Sequence, residues 1–182
     1  MRWPPAARAF GAASLALAAA ARPAIAQPAS PQPLAKPAPC ATAQHRQFDF
    51  WIGRWDVFDT RTGERAGSSI IERLYDGCTL RENWSEPGFT GGSLNTFDAT
   101  DGRWHQTWTD STGAWREFVG GLEDGHMVLV WRHRGAREPG RMADVRMTFT
   151  RNDDGSVRQH SDQRVDGGAW MERYDYTYRP AR

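Results

Sequence analysis

A chain of 182 residues, 39% hydrophobic and 25% charged, has the composition of one ordinary globular domain or two very small ones. Its 23 basic residues nearly balance 22 acidic ones, for a net charge of +1. That argues against a nucleic-acid partner, whose binding needs a concentrated basic field. Lys36 is the only lysine, and the arginines are spread along the chain, which points to compositional bias and not to a patch.

Met1 to Ala26 has the three parts of a secretory signal peptide: Arg2 and Arg8 at the start, an apolar centre from Leu15 to Ala21, and the small-x-small site Ala24-Ile25-Ala26. The apolar centre is too short for a membrane span, which needs roughly 20 apolar residues. Cleavage after Ala26 removes three arginines and no acid, leaving a slightly acidic chain in the periplasm or secreted. Residues 27–39 hold five prolines in thirteen positions, a disordered leader that cannot bury a core. No cysteine follows the cleavage site directly, so a lipoprotein anchor is not expected.

Two cysteines remain, Cys40 and Cys78. In an exported chain an isolated pair reads as a disulfide, two buried free thiols being the alternative. Closing that loop would contribute roughly 3–4 kcal/mol in the chain-entropy model.

From Arg54 onward, turn signals recur: Thr62-Gly63, Asp76-Gly77, Pro87-Gly88, Asp101-Gly102, Thr112-Gly113, Asp124-Gly125, Pro139-Gly140, Asp153-Asp154-Gly155 and Asp166-Gly167-Gly168. Between them lie segments rich in Trp, Tyr, Phe, Val and Thr. Nine such turns imply about ten strands. No window after Trp55 sustains a helical period, so the pattern predicts an up-and-down antiparallel sheet. A sheet of that size curls, and closure removes its edges. The expectation is an all-β barrel over residues 40–182.

Alternation then sorts the faces. Trp104, Gln106, Trp108 and Asp110 share one face, and Leu80, Glu82 and Trp84 another. Val145, Met147 and Phe149 oppose Asp144, Arg146, Thr148 and Thr150. In the last strand Trp170, Glu172, Tyr174, Tyr176 and Tyr178 oppose Met171, Arg173 and Asp175. An interior mixing indole, amide, carboxylate and phenol suits a hydrated cavity holding one small ligand. Ahead of the strands, Phe48, Trp51 and Ile52 fall at helical spacing, so a short helical turn would present them either as a plug in one end of the barrel or as a hydrophobic turn packed under the sheet. Gly53 ends that turn, and Trp55 and Val57 face one side of the first strand.

The segment Phe48-Asp49-Phe50-Trp51-Ile52-Gly53-x-Trp55-Asp56-Val57 resembles the opening of a family of small exported bacterial proteins defined only as a domain of unknown function. Gly77-Cys78, Glu82-x-Trp84, Gly92-Ser93, Trp104-x-Gln106-x-Trp108-x-Asp110 and Val157-Arg158-Gln159 follow in the same order, so the resemblance spans roughly residues 40 to 180. Gly53-x-Trp55 is similar to the first strand of lipocalins and other calycins. The resemblance implies a lipocalin-like barrel and a Cys40–Cys78 disulfide, and it brings no established activity. The glycine-rich opening of haem-binding nitrobindin-like barrels is missing.

The functional expectation is a binding protein, monomeric or weakly dimeric. Trp84, Trp108 and Tyr174 would form aromatic walls, and Glu82, Gln106, Arg146 and Gln159 polar contacts, around a small hydrophobic or amphipathic molecule. Unpaired burial of such polar groups costs roughly 2–7 kcal/mol, so they must pair with one another, with water or with a ligand. A structural Glu82–Arg146 pair stands beside the ligand clamp as a reading. The alternative function is a hydrolase or isomerase using Glu82 and Asp110 as acid and base. No nucleophile motif supports it: Ser68 and Ser69 lie in a Gly-Ser-Ser strand start. The histidines 45, 105, 126, 133 and 160 lack the spacing of a zinc or haem site, so no metal or cofactor is expected, with His160 the choice were haem to bind. His160 and Asp162 read as exposed, and Arg132, Arg134, Arg137 and Arg141 as a solvated loop diluted by Glu138.

Overall fold

The glycine turns do what their residue types demand. Asp124 and Gly125 both take positive φ (48° and 84°), the geometry of a two-residue hairpin turn that follows the twist of its strands. The computed structural model describes residues 39–134 and 140–182. The expected signal peptide, the expected leader through residue 38, and Arg137, Glu138 and Pro139 of the expected loop lie outside the described residues.

Ten strands follow in chain order: β1 Gly53–Asp59, β2 Arg65–Leu74, β3 Thr79–Glu86, β4 Phe89–Asp98, β5 Arg103–Asp110, β6 Trp115–Glu123, β7 His126–Arg134, β8 Met142–Arg151, β9 Val157–Val165 and β10 Met171–Pro180. Each pairs antiparallel with its sequence neighbour, and β1 pairs with β10 to close the barrel. The closing register sets Val57 opposite Tyr178 and Asp59 opposite Tyr176. The expected up-and-down barrel is therefore the observed fold. Among the described residues, no helix is long and apolar enough to cross a membrane.

One end of the barrel is stoppered. The short 3₁₀ turns Gln44–Arg46 and Asp49–Trp51 precede β1. They deliver Phe48 and Trp51, both fully buried, into the barrel. The two rings stack at 4.9 Å, and Phe48 meets Trp104 of β5 at 5.7 Å and Phe149 of β8 at 5.0 Å edge-on. Rings from distant strands thus converge on one side chain, which settles the helical turn as a plug. Ile52 is only partly buried. Two indole bonds fasten the plug: Trp55 Nε1 donates to the Trp51 carbonyl at 2.9 Å, and Trp104 Nε1 to Gln47 Oε1 at 3.1 Å.

The Cys40–Cys78 disulfide forms at this end, across 38 residues. It ties the start of the plug segment to the turn Tyr75–Gly77. Arg46 reinforces the tie by donating to the carbonyls of Cys40 and Gly77. Asp49 also pairs with Arg73 at 2.5 Å.

The last strand departs from simple alternation. Glu172 sits opposite Asp162, but Tyr174 sits opposite Ser161, so Arg173 is an extra residue, a β-bulge. The bulge reverses the parity expected from the sequence. Tyr174, Tyr176 and Tyr178 face inward as expected. Trp170 instead lies on the outer face between Arg146 and Arg164, whose guanidinium carbons are 4.1 and 4.6 Å from its ring centre. Glu172 is likewise outside, paired with Arg61 and close to His160.

Candidate functional site

The plug occupies the lower end of the lumen, and the upper end holds an open cavity. The cavity there has a volume of about 360 Å³, within the range of small-molecule sites. Among its lining residues are Glu82, Trp84, Gln106, Trp108, Gln159 and Tyr174, six of the seven ligand-contact candidates read from the sequence. The seventh, Arg146, is on the opposite face. Val145 and Met147 take the inward positions of β8, so alternation sends Arg146 outward, where it pairs with Asp162 at 2.5 Å. Arg146 is thereby corrected as a ligand contact, and the alternative of a structural Glu82–Arg146 pair falls with it. Asp162, expected to be exposed, is 4% exposed because that arginine covers it.

Room for the aromatic walls comes from glycine. A Cβ at Gly91 would lie 2.5 Å from Trp108 Cζ2, and one at Gly67 would lie 2.8 Å from Trp84 Cζ2. The indoles therefore lie over bare backbone and leave the lumen clear. Trp84 stacks on Tyr176 at 5.9 Å, and Tyr176 on Tyr174 at 4.8 Å, which makes one side of the cavity a continuous aromatic surface.

Beneath these rings lies a polar floor. Gln106 Nε2 donates to Asn95 Oδ1 at 2.7 Å, and Asn95 Nδ2 donates to Ser93 Oγ at 2.9 Å. The Ser93 hydroxyl donates to Glu82 Oε2 at 2.9 Å, and Ser69 donates to Glu82 Oε1 at 3.1 Å. Burial raises the Glu82 carboxyl to about 7, the hydroxyls of Ser93 and Ser69 only partly opposing it. Across the lumen, Tyr178 donates to Gln159 Oε1 at 2.6 Å, while Gln159 Nε2 donates to the Tyr174 hydroxyl at 3.3 Å. Burial pushes the Tyr174 phenol up to about 12 and the Tyr178 phenol well above its ordinary value.

The mouth is charged. Asp110, one inward position nearer the opening than Glu82, accepts from Trp108 Nε1 at 2.9 Å, Thr112 Oγ1 at 2.6 Å and Arg116 at 3.0 Å. Burial raises its pKa, but these donors outweigh it and hold the carboxylate well below its usual range. Glu86 and Arg173 also line the mouth. The two carboxylates of the enzymatic alternative thus differ in kind, one near neutrality on the floor and one locked ionised at the rim.

Sequence reasoning missed Ser69, Ser93 and Asn95, because small polar residues carry no signal until Glu82 is known to point inward beside them. It also missed Arg173, which only the bulge brings to the mouth. Asp98, Asp101 and His105 cluster at the β4–β5 turn with the reach of metal ligands. Their atoms serve the turn itself: Asp98 accepts from the Thr100 amide, Asp101 from the Arg103 amide, and His105 Nε2 lies 2.8 Å from Asp101. His160 lies on the outer strand face beside Glu172, away from the cavity lining.

Fold and site together define a closed ten-stranded antiparallel barrel, plugged at one end, with a lumenal cavity open at the other. No protein-family model matches the chain, and neither does any curated protein compared with it.

Proposed function

We propose that the chain is an exported small-molecule-binding barrel of the family its motifs resemble, holding a hydrophobic or amphipathic ligand in the upper lumen. The observation that carries this reading is the cavity of about 360 Å³ with aromatic walls above a hydrogen-bonded polar floor. A core evolved only to pack has no use for a buried carboxyl beside an open volume, since an apolar side chain there would be cheaper to bury. Export is supported by the signal-like residues 1–26 and by the Cys40–Cys78 disulfide, a bond that persists in oxidising compartments.

Native mass spectrometry of the protein purified from its own periplasm tests the reading. A retained small molecule, lost in a Trp108→Phe variant of unchanged melting temperature, is the expected result. An empty protein that turns over esters or enols would favour the hydrolase or isomerase alternative, and an empty inert one would return these residues to the core.

A further inference from the structure

The side-chain amides of the floor are oriented by one backbone carbonyl. Asn95 Nδ2 donates to the Leu80 carbonyl at 3.3 Å, an atom that only accepts, so this end of the Asn95 amide is the nitrogen. The same nitrogen donates to Ser93 Oγ at 2.9 Å, which uses both of its hydrogens. The other end, Asn95 Oδ1, then needs a donor, and Gln106 Nε2 supplies it at 2.7 Å. Gln106 is fixed in turn: its nitrogen faces Asn95, and its carbonyl oxygen is turned away.

That oxygen has no protein partner. Among the described residues, the one hydrogen bond of the Gln106 side chain is the bond from its nitrogen. Nor does Gln106 Oε1 belong with the polar atoms sealed off from every surface, Arg46 Nε, Asp49 Oδ1, Trp51 Nε1 and Ser161 Oγ. Gln106 is only 3% exposed and lines the cavity, so the surface its oxygen keeps is lumenal. The floor thus presents to the cavity a buried acceptor whose orientation is set by three residues behind it.

We propose, resting on the lumenal binding reading, that Gln106 Oε1 selects the ligand, which is an aromatic compound carrying a neutral O–H or N–H at its buried end, as phenols, naphthols and indoles do. A ligand entering the lumen displaces the water that otherwise serves this oxygen, and one without a donor leaves a buried acceptor unpaired. A neutral donor meets the need at less desolvation cost than an ionised one. The body of the ligand follows from the strand. Trp108 is the next inward residue of β5, roughly 7 Å nearer the mouth. A flat ring system lying against that indole, with Trp84 and Phe118 also bordering the space, brings a group at its end down to Gln106. The walls accept any flat hydrocarbon, and the floor accepts only a donor.

The test pair is beta-naphthol and its methyl ether, which share one ring system and differ in the donor. In equilibrium dialysis at neutral pH the wild-type protein should bind the naphthol about tenfold more tightly than the ether. Gln106→Met keeps the length of the side chain and removes the oxygen, so it should bind the two compounds equally. The ratio is read within each protein, and a preference that came only from the bulk of the methyl group would survive the substitution. Independently of any variant, the side-chain carbonyl carbon of Gln106 in the wild type should move further downfield in its NMR resonance with the naphthol than with the ether. Equal affinities in the wild type, a tenfold ratio that survives in Gln106→Met, or the same carbonyl resonance with both compounds overturns the assignment while leaving the cavity as a binding site. Binding of neither compound overturns the assignment and the binding reading together.

Discussion

Glu82 is the residue whose environment conflicts most with its chemistry. The fold buries a carboxyl that water would leave ionised, and two serine hydroxyls offset only part of the desolvation. Its folded pKa of about 7 lies above the ordinary 4.5, so the folded protein holds this proton more tightly than the unfolded chain does. The stability this contributes is complete below about pH 4.5 and is lost as pH rises through 7. A displacement of that size corresponds to about 3 kcal/mol. Glu82→Gln should therefore flatten the dependence of melting temperature on pH between those limits and gain on the wild type at alkaline pH. Parallel melting curves for the two proteins across that range would show that the carboxyl is not buried as described. Asp110 acts in the opposite sense: its depressed pKa contributes stability above the usual carboxylate range, lost only as pH falls toward its folded value. That Glu82 and Gln106 point inward was legible from the tryptophans two positions away. Their partners were not, since alternation names a face and never a hydrogen bond.

Among the elements, the plug and the bulge decide what the barrel can hold. Phe48 and Trp51 close the lower end, and the disulfide holds their segment against the turn before β3. Replacing both cysteines by serine should lower stability by roughly 3–4 kcal/mol in denaturant unfolding. Affinity for an amphipathic fluorophore such as the naphthyl ketone prodan should survive in the folded fraction, because the disulfide lies at the end opposite the cavity mouth. Loss of binding without loss of stability would contradict that division of labour. Truncating Trp51 to Ala is expected to cost about 3–5 kcal/mol, the range for deleting a buried aromatic ring. The plug was legible from the spacing of Phe48, Trp51 and Ile52, although not as a plug in preference to a turn under the sheet. The bulge at Arg173 was not legible: one extra residue leaves no mark in composition, yet it moves Trp170 and Glu172 to the outer face and Arg173 to the mouth. The outward turn of Arg146 has a plainer cause. Val145, Met147 and Phe149 are the more apolar set of their strand, and the choice between the two sets was already visible in the alternation.

At the scale of the whole molecule, turn chemistry determines nearly everything. Regular glycine turns between short alternating segments leave few topologies open, and a sheet of ten strands resolves its edges by closing β1 onto β10. What alternation could not tell is how full the interior is, since a packed barrel and a hollow one share the same inward pattern. Glycines 67 and 91, by letting the edges of two indoles approach where a Cβ would sit, tip the upper end toward hollow. A crystal structure of the protein soaked with prodan tests this most directly. The naphthyl group is predicted in the upper lumen beside Trp84 and Trp108, above Glu82 and Gln106. A lumen closed by those side chains, with the probe absent or bound only on the outer face, would contradict it.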